Sequence, residues 1–125
     1  ERENLVKNAA KVGNTMLSAL RALQEKHPLI GHVRGHGLAI GVELVSDREA
    51  RTPAIEQTAL TVYRAFQLGL VIYYVGLNSN VLEFTPPLNL SEDEALRGIA
   101  ILDQALSDVE AGKVDPQLLE RFAGW

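Results

Sequence analysis

Three histidines, His27, His32 and His36, fall within a ten-residue window. Imidazole is a common metal ligand, and spacings of five and four can suit a site on a regular element. Here the window also holds Pro28, Gly31 and Gly35, with Gly37 just beyond. That composition is not helical, so spacing alone does not bring the rings together. The nearest acid along the chain after them is Glu43. The three therefore read as a cap at a helix C-terminus, a loop residue and a turn residue, and no metal site is expected.

Arg34-Gly35-His36-Gly37 offers exposed backbone N–H groups and a guanidinium, the ingredients of a phosphate cradle. The segment lacks Gly-x-Gly-x-x-Gly and a Walker lysine, and a strand follows it instead of a helix. The glycines read as permitting a tight turn or close packing. Ser18, Ser46, Ser79, Ser91 and Ser107 sit in no nucleophile-elbow pattern. Glu92, Asp93 and Glu94 are explained by a helix start. The lysines are Lys7, Lys11, Lys26 and Lys113. Each falls on a polar helix face or at a helix end, where its amine stays solvated.

The elements that position these residues follow from periodicity and punctuation. Leu5, Ala9, Val12, Met16, Leu20 and Leu23 recur every three or four residues, which predicts a long amphipathic helix. It ends near Lys26, because His27 precedes proline. Ile30 to Val45 reads as two extended pieces joined at a turn or bulge near Gly35 and Gly37. A second helix is expected to start with Thr52 as cap and Pro53 in its first turn. Its apolar face would comprise Ile55, Ala59, Val62, Tyr63 and Phe66, and Gly69 would close it. Leu70 to Val75 reads as a buried strand, Gly76 to Asn80 as a turn, and Val81 to Thr85 as a strand halted by Pro86-Pro87. Ser91 with Glu94 forms a capping box before a helix with stripe Leu96, Ile99, Leu102, Leu106 and Val109. Gly112 ends that helix, and Asp115-Pro116 starts a short last one through about Phe122. The fold class is α+β: a small antiparallel or mixed sheet with helices on one face and a long N-terminal helix.

The 125 residues suit one domain, and 46% hydrophobic content supports an aliphatic core. The net charge of −4, with no basic run, argues against nucleic acid. No stretch is apolar enough to span a bilayer and no signal-type segment opens the chain, so no membrane partner is expected. The absence of cysteine excludes disulfides and thiolate chemistry and suits a cytoplasmic location.

Three stretches carry a resemblance. They are His27-Pro28-Leu29-Ile30-Gly31-His32-Val33-Arg34-Gly35-His36-Gly37-Leu38, Ile40-Gly41-Val42-Glu43-Leu44, and Asn80-Val81-Leu82-Glu83-Phe84-Thr85-Pro86-Pro87-Leu88. Together they resemble the C-terminal small domain of class III aminotransferases. That group includes 4-aminobutyrate and ornithine aminotransferases and dialkylglycine decarboxylase. The resemblance covers nearly all of the chain and is weakest from Lys113 onward. It implies a small domain over residues 1–112 and a helical tail over 113–125.

Such enzymes are homodimers whose large domain binds pyridoxal phosphate and supplies the Schiff-base lysine. Nothing here matches that domain, so the chain is expected to bind no cofactor alone and to be catalytically incomplete. The full enzyme would move an amino group from an amine or amino acid to a 2-oxo acid. A racemase or decarboxylase of the same cofactor class is an alternative, as is a non-catalytic binding or self-assembly module. In the family, an arginine just before the Pro-Pro-Leu often holds a substrate carboxylate. The corresponding position here is Glu83, which cannot bind a carboxylate that way. Glu83 is therefore either a substrate contact of altered preference or a solvent-facing strand residue.

Overall fold

A computed structural model describes residues 2–117 and 119. Helix α1 spans Arg2–Lys26 and buries Ala9, Val12, Met16, Leu20 and Leu23, while Leu5 is only half-buried. Its C-terminal carbonyls are not left bare. The Arg48 guanidinium donates to the carbonyl oxygens of Gln24 and of His27, the latter at 2.9 Å, as suits the negative end of a helix.

The chain then forms β1, Ile30–His36, and β2, Ala39–Asp47. They pair as an antiparallel hairpin with an irregularity between Ile30 and His32. Gly37 turns the chain at φ +58, a conformation that glycine adopts without steric cost. Strand β5, Val81–Phe84, pairs with β2, and β4, Tyr73–Val75, closes the other edge. All pairings are antiparallel. Helices α2, Ile55–Gln67, and α3, Glu92–Glu110, complete the order. Ile30, Val33, Ile40, Val42, Leu44, Leu82 and Phe84 share one core with α1 and α3. The expected α+β architecture with its long N-terminal helix is observed.

Several local expectations are corrected. Thr52–Pro53 does not open a helix. It forms a two-residue strand, β3, paired to β2, and Ala54 occupies the N-cap of α2 without a side-chain cap bond. The buried side of α2 is Thr58, Leu60, Thr61 and Ala65, not the stripe of Ile55 and Phe66, which are exposed. Small residues let α2 approach closely, and the Thr58 and Thr61 hydroxyls donate to the carbonyls of Ala54 and Gln57 one turn back. Of the expected buried strand over Leu70 to Val75, only Ile72 is buried and Tyr73–Val75 is an exposed edge. Leu96 is exposed, and Ala95 takes its place in the α3 stripe. The capping box at Ser91 is present in full. The last helix from Asp115 to about Phe122 falls largely outside the described residues.

Candidate functional site

The second face of the sheet carries the polar residues. Register puts Arg34 opposite Gly41, Gly41 opposite Glu83, and Glu83 opposite Tyr73. Directly opposed residues project from the same face, so these four form one row across the sheet. The next row is His32, Glu43, Val81 and Val75. Glu83 is exposed, as the solvent-facing alternative requires. It also lines two grooves.

One groove, of about 350 Å³, runs over the sheet between Arg34, Ala39, Gly41, Val75, Val81 and Glu83. The other, of about 200 Å³, lies between the sheet edge and the α1 and α3 helices, with Met16, Ile72, Phe84, Pro86 and Ile99 among its walls. Glu94 also lines it, but its carboxylate is committed. It accepts from the Ser91 backbone N–H at 3.2 Å. The Ser91 side-chain hydrogen bond, followed by its backbone bond, holds Glu94 below the usual carboxylate range. Glu92 pairs with Lys11 at 3.2 Å. Glu94 is thus spent on the helix start, as the capping pattern implied, whereas Glu92 faces α1.

The histidines separate. His32 and His36 are exposed on β1, whereas His27 is buried at 2% exposure. His27 Nδ1 lies 2.5 Å from Glu110 Oε1, and Nε2 lies 2.6 Å from Asp103 Oδ1. Asp103 and Glu110 are seven residues apart on α3, two turns along one face. Lys26 donates to both Asp103 oxygens at 2.8 and 2.9 Å. Partial burial opposes the charge on Asp103, but hydrogen bonds from Lys26 and His27 outweigh it and lower the carboxyl's pKa. The reading of His27 as a plain helix cap is therefore too small. Sequence reasoning missed this cluster because its acids lie some eighty residues downstream. The only available signal was the seven-residue spacing of Asp103 and Glu110 on the polar side of an amphipathic helix. Among the described residues no group of three or more side chains is arranged to hold a metal ion.

Pyridoxal phosphate requires a lysine amine for its Schiff base. Lys7, Lys11, Lys26 and Lys113 are all exposed, and none lines either groove. Lys11 and Lys26 are engaged with Glu92 and Asp103. The described residues do not fit the cofactor.

The sequence profile of the aminotransferase class-III family matches residues 1–106. The chain belongs to the class-III aminotransferase family. A leucine/methionine racemase of Thermococcus litoralis is 39% identical over 125 residues, covering 100% of this chain and 28% of the racemase. The mitochondrial alanine–glyoxylate aminotransferase 2 homolog 2 of Arabidopsis thaliana is 43% identical over 107 residues, 86% of this chain and 22% of that protein. An amine transaminase from an uncultivated Pseudomonas species, solved in its pyridoxal-phosphate-bound internal aldimine form, superposes with TM-score 0.80. It is 36% identical, over 87% of this chain and 24% of that one. This class-III domain thus spans about a quarter of the relatives it matches. Transaminases and racemases both stand among them, so membership fixes the domain and leaves the reaction open. Among the described residues, no helix of this class-III domain is long and apolar enough to cross a membrane.

Proposed function

We propose that this chain is the small domain of a pyridoxal-phosphate-dependent class-III transaminase, with residues 1–112 as the domain and 113–125 as its tail. The observation that carries the reading is coverage: the family match runs over residues 1–106, yet the chain fills only about a quarter of its relatives. The other three-quarters of such relatives is where the cofactor and its lysine belong in this reading, since no lysine lines either of the two grooves described above. The complete enzyme, a cytoplasmic homodimer in this reading, moves an amino group from an amine or amino acid to a 2-oxo acid. Glu83 contacts the substrate from the small-domain side. Its carboxylate disfavours a second carboxylate at that point and suits a positively charged group.

The test uses the full-length protein. An internal-aldimine absorbance band that borohydride removes, together with oxo-acid-dependent loss of an amino donor, is the expected result. No band in the full-length protein, or a stoichiometric aldimine on a lysine of this chain alone, would overturn the reading. The racemase identity at 39% supports a second reading. Interconversion of one amino acid's enantiomers without any oxo acid, read by chiral chromatography, selects it over transamination.

A further inference from the structure

Two helices end at the same corner of the domain. Lys11 in α1 pairs with Glu92 at the start of α3 at 3.2 Å, and Lys26 at the end of α1 pairs with Asp103 at 2.8 Å. The helices therefore run side by side in one direction, and their C-terminal ends converge. Each such end carries partial negative charge from its unpaired carbonyls. The last turn of α3 adds to it, because it holds Asp108 and Glu110 and no basic residue. His27 stands where the two ends meet. Its backbone N–H donates to the Leu23 carbonyl at 2.8 Å, which extends the α1 pattern by one residue, and its side chain is buried.

The two ring contacts fix a proton count. Nδ1 lies 2.5 Å from Glu110 Oε1, and Nε2 lies 2.6 Å from Asp103 Oδ1. Separations this short need a hydrogen in each contact, and a neutral imidazole brings only one. The second hydrogen belongs either to the ring or to a carboxyl group. Burial opposes charge on Asp103, but hydrogen bonds from Lys26 and His27 outweigh it and hold its pKa below the usual value, so Asp103 is an anion and an acceptor. Between Glu110 and the ring, imidazole is the stronger base. Glu110 Oε2 also faces the Leu29 N–H at 3.4 Å, which suits a carboxylate. The surrounding charges agree. Lys26 and a charged ring balance Asp103 and Glu110. Arg48, from the segment after β2, donates to the His27 carbonyl oxygen and not to the ring, and Arg64 is committed to Asp108.

We propose that His27 is an imidazolium at neutral pH and acts as a proton-held clasp between the ends of α1 and α3. With both N–H groups present, it answers two helix ends and two carboxylates at once. Loss of one proton turns a ring lone pair toward a carboxylate oxygen, so that contact opens and the corner loosens. The clasp is thus held while the ring is charged and is released as pH rises. Leu29 reports the release, because its N–H faces Glu110 and its carbonyl accepts from Val45 of β2 at 2.7 Å. The device stands apart from the proposed reaction and needs no cofactor.

The experiment is an NMR spectrum of the imidazole ring nitrogens in the isotope-labelled 125-residue chain, with the His27 signals assigned by their loss in His27→Gln. At about pH 7.5, where free histidine is mostly neutral, hydrogen is expected on both ring nitrogens of His27. Raising the pH further should remove one proton, and the amides of Leu29 and Glu110 should shift in the same step. Glu110→Gln keeps the shape and removes the anion, so its Nδ1 should be bare at about pH 7.5. A bare ring nitrogen on His27 in the parent chain at that pH overturns the proposal. So does a proton loss that moves neither amide, or a Glu110→Gln ring that keeps both protons. Should Glu110→Gln not fold, the parent spectrum and its titration still decide.

Discussion

A Cβ placed on Gly13 of α1 would stand 2.1 Å from the carbonyl oxygen of Gly37 in the β1–β2 turn. Helix and turn meet there backbone to backbone, and Leu38 beside the contact is buried. This contact seats the hairpin that carries Arg34 and Gly41 on the helix. Alanine at an ordinary helical position gains about 1 kcal/mol over glycine. At Gly13 the clash is with backbone, which cannot rotate away, and overpacking of this kind costs about 1–3 kcal/mol. Gly13→Ala should therefore lower the urea midpoint, reversing the sign that helix propensity alone predicts. A raised midpoint would show that the contact is looser than described.

His27 ties the end of α1 to α3 by standing between Asp103 and Glu110. Removing the ring leaves a buried gap with two carboxylates facing into it. Loss of one partner from a buried hydrogen-bonded cluster costs about 1–3 kcal/mol, and the cavity left by the ring adds to it. The carboxylates here keep 29% and 23% side-chain exposure, so water recovers part of that. His27→Ala should cost about 2–3 kcal/mol in chemical denaturation. In a double-mutant cycle, His27→Ala with Asp103→Ala should cost less than the sum of the single changes. Strict additivity would show that the contact carries no coupling.

Acid should unfold the domain through Asp103 and Asp108. The Arg64 guanidinium donates to Asp108 at 2.8 Å, and this bond, against desolvation and helped by Gln104, holds its carboxyl below the usual range. Asp103 is lowered as well, burial being outweighed by Lys26 and His27. A carboxyl with a depressed folded pKa stabilises the fold above its unfolded pKa of about 4, and that stability is lost as pH falls through the folded value. Melting temperature should hold through neutral pH and begin to drop near about pH 5. Asp108→Asn should be less stable than the parent at pH 7 and show a shallower acid slope. Parallel slopes would remove Asp108 from the account.

What was legible in the sequence was whatever local pattern decides. The α1 stripe from Ala9 to Leu23, the Ser91 capping box and the Gly37 turn all follow from spacing and residue type, and all three stand. Resemblance singles out Glu83, and the structure adds that it lines two grooves. That Arg34, Gly41 and Glu83 share one row of the sheet is not legible, because strand register is a long-range fact. His27 was underread for the same reason. The exposed apolar side chains of Ile55, Phe66 and Tyr73 misled the reading of α2 and β4. Hydrophobicity alone does not say which apolar side chains a fold buries, since much of a folded surface is itself apolar.

The α2 correction has its own consequence. Phe66 is 65% exposed, while its neighbour Ala65 is fully buried in the main core. A reading from hydrophobicity ranks Phe66 as the anchor and Ala65 as dispensable, whereas the packing ranks them the other way. Phe66→Ser should shift the stability of this chain by no more than about 0.5 kcal/mol, as for other surface changes. Ala65→Leu inserts three carbons where α2 packs closely and should cost about 1–3 kcal/mol. Comparing the two variants by urea denaturation decides which face of α2 is inside. If Phe66→Ser were the more damaging, the helix would have to be rotated about its axis.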